Sequence, residues 1–426
     1  MRKLKKNEQK SNITQKEIEE ILTGKEIKDL ANALGVDDKR KSKLLVSQFV
    51  FVMLLANTLG KKLNFQELSM KAQEWKLTNE NRITGERISQ QMKERGHQLS
   101  KALFHYLLKK VLGVKGSANK RLRKHFNKIY SQDGSVIHLA QKLVDIYTGS
   151  KGQAALKIQV RYEYFSGAAA LLDISKAKYH DNNYKTPANL GKDILWLIDL
   201  GYYDFERFSK IKSAGQYFVS RLKVNADVSI LEIKDHPEYA NKKLSEILPL
   251  FAHSEIDCSV RLTNGDIMRV VCLWNEDKSE YWQYLTNINA EDFKALEIQM
   301  LYKMRWQIEI FFLELKHVFS TIKILSPSKE KIEAQLYFAF CYYLLIQLIR
   351  LKTALVCRIK WQSLSFCLCE RIFRNWFVSN IVNEGCKLKL KKKISELIDK
   401  IRRNAYISVI QMTRYTERIY GIRIRA

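Results

Sequence analysis

Residues 301–316, LYKMRWQIEIFFLELK, restrict the fold more than any other stretch of this 426-residue chain. The segment contains no Gly or Pro and is mostly apolar, the composition of a buried helix. With Tyr302 at zero on a helical wheel, Arg305 falls at about −60°, Glu309 at about −20° and Lys316 at about −40°. Four polar side chains share one narrow stripe. Met304, Ile308, Ile310, Phe311, Phe312 and Leu315 make up most of the rest. A carboxylate on an otherwise buried helix is costly unless it is paired or binds a metal. Both outcomes are open here: an intrahelical ladder joining Arg305 and Glu309 at i, i+4, or a metal-binding edge.

Charge narrows the choice of partner. Lys and Arg number 73 against 45 Asp and Glu, a formal net charge of +28. Such an excess attracts a polyanion. Nucleic acid is the first candidate and an anionic membrane surface the second. The basic residues are not confined to one amphipathic helix, which disfavours the membrane. Apolar runs near 44–59 and 336–349 fall short of the roughly 18–20 residues that a span needs, and both read as core helices. The basic start, MRKLKKNEQKSN, has no apolar run behind it and is not expected to be a signal peptide. Seven cysteines, an odd and scattered set, predict reduced thiols in a cytosolic protein. Cys367 and Cys369 lack a second pair, so no zinc site is expected.

Along the chain, residues 1–125 read as helices with basic faces. They suit DNA binding, with a helix-turn-helix reading around TGERISQQMKER, or else a solvated bundle. VKGSANKRLRKHFNK, 114–128, has the composition of a linker. From Lys128 the pattern turns to strands, with KIYSQDGSVIHLA interrupted or closed at Asp133-Gly134. ALKIQVRYEYF and GAAALLDISKAKY form a hairpin. DILWLIDLGYY is a central strand ending at Asp199, FERFSKIKSAG a helix closed by Gly215, and QYFVSRLKV another strand. This alternation gives an α/β fold with a mixed sheet. Residues 225–289 are a second strand-rich segment, with a type I′ turn expected at Asn264-Gly265. The helix carrying Glu309 begins near 289–292, a turn follows at Ser326-Pro327-Ser328, and a basic tail that holds DNA or folds back starts at Cys386. The expected partition is 1–125, 126–224, 225–289, 290–350 and 351–426.

Two acids stand out by position: Asp133 before a Gly at a strand turn, and Asp199 at the carboxyl end of an apolar strand, where active-site side chains collect in α/β sheets. Asp204 reads as a helix N-cap and Asp193 precedes its strand, while Asp145 and Asp173 remain rivals. Two aspartates and Glu309 converging from separate elements would suit Mg²⁺ or Mn²⁺ and two-metal chemistry on phosphorus. Arg305 and Lys316 could contact phosphates, and Tyr302 a sugar or phosphate.

Tyr302, Arg305, Glu309 and Lys316 stand at the spacing that marks DDE-type bacterial insertion-sequence transposases of insertion sequence family four. DGS at 133–135 and DLGYYD from Asp199 are also family-like. The chain resembles that family over roughly 125–350. The resemblance implies a ribonuclease H-like core interrupted by a β-rich insertion, helical regions at both ends, and cut-and-paste transposition. It implies Asp133, Asp199 and Glu309 as catalytic residues and ligands of two Mg²⁺ or Mn²⁺ ions. It also implies binding of terminal inverted repeats and target DNA by a homodimer in a synaptic complex. Tyr302 and Arg305 would bind DNA, and Trp282 would stack on a flipped base, although an alternating strand places a Trp in a core equally well. Arg221 faces DNA or makes a sheet-edge salt bridge. The alternatives are a nuclease of the same fold and an inactive DNA-binding derivative.

Overall fold

The computed structural model describes residues 16–407 apart from 39–43, 58–63, 76, 78–82, 115–119, 150–151, 185–189, 224, 227, 235, 252, 320–327 and 383–389. Helices α1 (16–22), α2 (Lys25–Ala33), α3 (Val46–Ala56), α4 (Phe65–Glu74), α5 (Gly85–Gln91), α6 (His97–Gly113) and α7 (Lys120–His125) come first. Strands β1 (Lys128–His138), β2 (Ala155–Glu163), β3 (Ala168–Lys176) and β4 (Ile194–Ile198) follow, then α8 (Phe205–Ser213) and β5 (Tyr217–Arg221). Next are β6 (Ser229–Ile233), α9 (Leu244–Ile247), β7 (Ile256–Arg261), β8 (Ile267–Asn275) and β9 (Glu280–Thr286). Helices α10 (Ala295–Lys303), α11 (Gln307–Phe319), α12 (Lys329–Cys357), α13 (Phe366–Phe377) and α14 (Leu390–Asn404) complete the order.

The strands form one mixed sheet, ordered β3-β2-β1-β4-β5-β9-β8-β7-β6. β1, β4 and β5 are parallel and every other pairing is antiparallel. The all-apolar β4, ILWLI, is buried throughout, as a strand covered on both faces must be. Its alternation divides it between two cores. Ile194, Trp196 and Ile198 pack with Phe208 and Ile211 of α8, while Leu195 and Leu197 pack with Ile298 and Leu301 of α10. A third core joins helices α1–α6 to α11–α14 and to the outer face of β2 and β3. α12 runs through its middle. By length and composition it could cross a membrane, but 83% of its most apolar window is buried inside the protein, so it is a core helix.

Buried Arg269 on β8 ties the sheet to the segment leading into α10. It grips Asp257 in two bonds of 2.7 and 2.6 Å and donates to the carbonyls of Ile288 and Phe293. Breaking a buried pair strands the remaining charge. Arg269→Met is therefore expected to lower stability by about 2–4 kcal/mol, read by denaturant unfolding; an unchanged midpoint would contradict this role.

Several local expectations change. β1 passes through Asp133-Gly134 without a break, because the ladder with β2 continues from Tyr130 to His138. The helix across 301–316 is interrupted by a 3-10 turn at Met304–Trp306 and starts at Ala295 rather than near 289–292. The β7–β8 hairpin is present, but only Gly265 has positive φ (86°). Its N–H bonds the Leu262 carbonyl at 2.9 Å, as in a type I turn with a following bulge. The expected linker contains α7. Residues 75–84 between α4 and α5 exceed the three or four residues of a helix-turn-helix turn. α5 instead continues through a π turn, Met92–Gly96, into α6. α12 crosses the boundary drawn at 350. Asp204 caps α8 at 3.0 Å and Gly215 closes it at φ 67°, as read from sequence. Cys258, Cys272, Cys341, Cys357 and Cys369 are free thiols. The turn at Ser326-Pro327, Cys386 and the basic ends 1–15 and 408–426 lie outside the described residues.

Candidate active site

The register of two parallel strands sets the site. β1 pairs with β4 from Lys128↔Ile194 to Ser131↔Leu197. Continued two residues past the ladder, this register leads to Asp133 on β1 and to Asp199 just after β4, and the Asp199 charge is felt at Asp133. One face of the sheet here is covered by α10 and α11. Asp199 leaves β4 to cap the 3-10 turn Leu200–Tyr202, accepting from the Gly201 N–H at 3.3 Å. Asp133 accepts from the Gly134 N–H at 2.8 Å.

α11 brings Glu309 to the same place. Its apolar side, Ile308, Phe311, Phe312 and Leu315, is buried. Phe311 lies 5.7 Å from the Tyr162 ring of β2 and 4.9 Å from Tyr343 of α12. Glu309 emerges at the edge, bonded to Arg305 at 2.8 Å. The same guanidinium reaches Asp199 at 3.5 Å. The intrahelical ladder therefore exists, and it extends to an acid on the sheet. Among the described residues no three His, Cys, Asp or Glu already surround one point. The Arg305 guanidinium bridges Asp199 and Glu309.

The carboxyls are perturbed accordingly. Burial, reinforced by Asp199 and Asp181, pushes Asp133 up to about 6, against the Gly134 N–H and Arg305. Burial also raises Glu309, Asp199 adds to it, and Arg305 opposes it. Burial works against the Arg305 cation, yet Tyr302, Asp199 and Glu309 outweigh it and hold the guanidinium charged. Arg305→Gln is thus expected to move Asp133 and Glu309 further upward, measured by NMR titration of their carboxyl carbons. Unmoved titrations would remove Arg305 from the site's electrostatics.

Around this centre, Tyr302 is half-buried against Tyr284 at 5.5 Å, with Arg305 5.7 Å over its ring. Trp282 is half-buried on the same face of the sheet as Tyr284, and its indole N–H donates to Glu280 at 3.1 Å. The Arg221 guanidinium lies 5.5 Å over its ring. Arg221 thus sits on an aromatic ring rather than in a sheet-edge salt bridge, and Trp282 is neither fully buried nor bare. Lys316 is exposed on α11 beyond Glu309. Of the rival acids, Asp173 accepts from the Tyr184 hydroxyl at 2.7 Å, away from this centre.

Two acids escaped sequence reasoning. Glu314, on the same helix as Glu309, is buried against Arg350 of α12 at 3.5 Å and pushed up to about 7 by burial. Asp181 pairs with Lys157 at 2.8 Å behind the Asp133 strand. Asp181 lies in a polar stretch with no periodic signal, so only tertiary structure finds it. Glu314 was visible as an acid in an apolar helix, but the sequence gives no partner 36 residues away.

A mixed sheet with one acid in the middle of a strand and a second at the carboxyl end of its parallel neighbour, met by a glutamate from a later helix, fits the class of carboxylate-dependent phosphoryl-transfer enzymes. The family profile described as "Transposase DDE domain" matches residues 119–345, more than half of the chain. The chain belongs to the DDE transposase family, in the insertion sequence family four branch that the Tyr302, Arg305, Glu309 and Lys316 spacing indicates. It is 25% identical over 301 residues to the transposase for insertion sequence element IS231F of Bacillus thuringiensis subsp. israelensis, covering 60% of this chain and 63% of that one. It is 26% identical over 367 residues to the transposase for IS231B of Bacillus thuringiensis subsp. berliner, covering 74% and 75%. With the transposase for IS1151 of Clostridium perfringens it shares 22% over 367 residues, covering 75% and 76%. The match thus spans just under two thirds of the IS231F protein.

Proposed function

We propose that this chain cuts the ends of an insertion sequence and joins them to target DNA, with Asp133, Asp199 and Glu309 holding two Mg²⁺ or Mn²⁺ ions. The observation that carries the reading is one guanidinium, Arg305, bridging Asp199 and Glu309, with Asp133 coupled to both Asp199 and Arg305. The residues fit a divalent cation. All three donors are carboxylates, the hard oxygen ligands such ions prefer, and the space between two of them already accepts positive charge. When bound, the ions activate the attacking water or 3′-hydroxyl and stabilise charge on phosphorus oxygens. Asp133 and Glu309 must be ionised to act, and burial raises both carboxyls, Asp133 to about 6. Arg305, released from the acids, and Lys316 would bind phosphates. Tyr302 and Trp282 offer ring faces to a sugar or an unstacked base.

The strand order β3-β2-β1-β4-β5, with β2 antiparallel beside three parallel strands, supports a ribonuclease H-like core in two parts, 126–224 and from 290 into α12. β6–β9 support the insertion at 225–289. Residues 1–125 would bind the terminal inverted repeats, and the basic C-terminal region would pair two copies in a synaptic homodimer at the bacterial nucleoid. Incubating the full chain with a plasmid carrying the DNA that flanks its coding region tests this. Mg²⁺-dependent cuts at the repeats, followed by joining to a target, are expected. Cuts without joining would favour a nuclease, and binding without cuts in either metal would favour an inactive DNA-binding derivative.

A further inference from the structure

We propose that Lys157, Gln159, Asp181 and Tyr202 form a latch on the far face of the sheet that fixes Asp133 and Asp199 relative to each other. The proposal rests on reading those aspartates as metal ligands. Gly134 follows Asp133 and presents the opposite face of β1, where Gln159 of β2 is its cross-strand partner. The latch lies directly over this glycine. A Cβ at 134 would come within 2.5 Å of Gln159 Nε2, 2.9 Å of Asp181 Oδ1 and 3.0 Å of Lys157 Cε. Fully buried Gln159 then reaches both ways. Its Nε2 donates to Asp181, and its Oε1 accepts from the Tyr202 hydroxyl at 2.8 Å. The same hydroxyl lies 3.4 Å from Asp181 Oδ1. Lys157 pairs with that oxygen at 2.8 Å and donates to the Tyr179 carbonyl at 3.0 Å.

Tyr202 closes the circuit. It ends the 3-10 turn that Asp199 caps, and its N–H donates to the Asp199 carbonyl at 2.9 Å. One side chain, Gln159, therefore separates the residue after the first aspartate from the far end of the turn that begins at the second. Tyr202 is 3% exposed, Lys157 8%, and the Arg207 guanidinium lies 5.4 Å over the Tyr202 ring. These contacts explain a glycine at 134 and a tyrosine at 202, which phosphoryl transfer itself does not require. The four are positioning residues, like the outer partners that orient metal ligands elsewhere.

The test titrates Mn²⁺ into the full-length chain and reads free Mn²⁺ by electron paramagnetic resonance. Tyr202→Phe and Asp181→Asn are each expected to bind about tenfold more weakly than wild type, with thermal unfolding within about 2 °C of it. Wild-type affinity in both variants overturns the latch, as does a lowered unfolding temperature with unchanged affinity. If Tyr202→Phe folds poorly, Asp181→Asn decides alone, because its side chain is one-third exposed (33%). Asp133→Asn is the control for the underlying reading. No uptake by wild type, or uptake that Asp133→Asn leaves intact, overturns the metal site itself, and the latch with it.

Discussion

Glu309→Gln is expected to bind end DNA as wild type does and to cut it no faster than background. The substitution keeps the length of the side chain and an oxygen, so the apolar side of α11 still packs on Tyr162 and Tyr343. What is lost is the charge that completes the carboxylate set. Disturbing even an outer partner of a metal ligand costs about 10–100-fold in metal affinity or activity, and removing a ligand's charge costs more. Arg305 would keep its contact with Asp199, so the site loses chemistry without collapsing. A gel shift and a cleavage assay on the same preparation check both halves. Normal cleavage would take Glu309 out of the active site; lost DNA binding would mean that the helix, rather than the charge, had been disturbed.

Asp133→Asn is expected to stabilise the metal-free protein. The Asp133 carboxyl rises from 3.8 to about 6 because burial, Asp199 and Asp181 penalise its ionised form. A folded value above the unfolded one means that the native state holds its proton more tightly. Stability from this group is fully present below about pH 4 and is lost as pH rises through 6. One unit is worth about 1.4 kcal/mol, so the cost at pH 7.5 is at most about 3 kcal/mol, less where solvent screens the group. The asparagine variant escapes it. It should unfold at higher denaturant than wild type at pH 7.5 by about 1–3 kcal/mol, and at the same point near pH 4. Mg²⁺ should narrow the gap by stabilising wild type alone. Equal midpoints at both pH values would show that Asp133 is not under strain.

Much of this site was legible before any coordinates. Tyr302, Arg305, Glu309 and Lys316 form a periodic pattern in a strongly apolar stretch, and Asp199 ends an apolar run that could only be a buried strand. Such signals are local, so sequence carries them. Asp133 stands out in the sequence, but its setting differs from the expected strand break. A Gly after an Asp usually breaks a strand, whereas here Gly134 continues one because Gln159 needs the space above it. The break at Met304–Trp306 was invisible because no Gly or Pro marks it. Asp181 and the Glu314–Arg350 pair depend on segments distant in sequence, and no periodicity encodes such pairings.

The junction between β5 and β9 has a further consequence. Val219, Ser220 and Arg221 pair in register with Thr286, Leu285 and Tyr284, so the chain between them, which extends the sheet beyond β9, begins and ends at one seam. Hairpins could be added or deleted there in whole units, and the strands bearing Asp133 and Asp199 would keep their neighbours. The stretch between Asp199 and Glu309 can therefore change in length without moving the strands on which Asp133 and Asp199 depend.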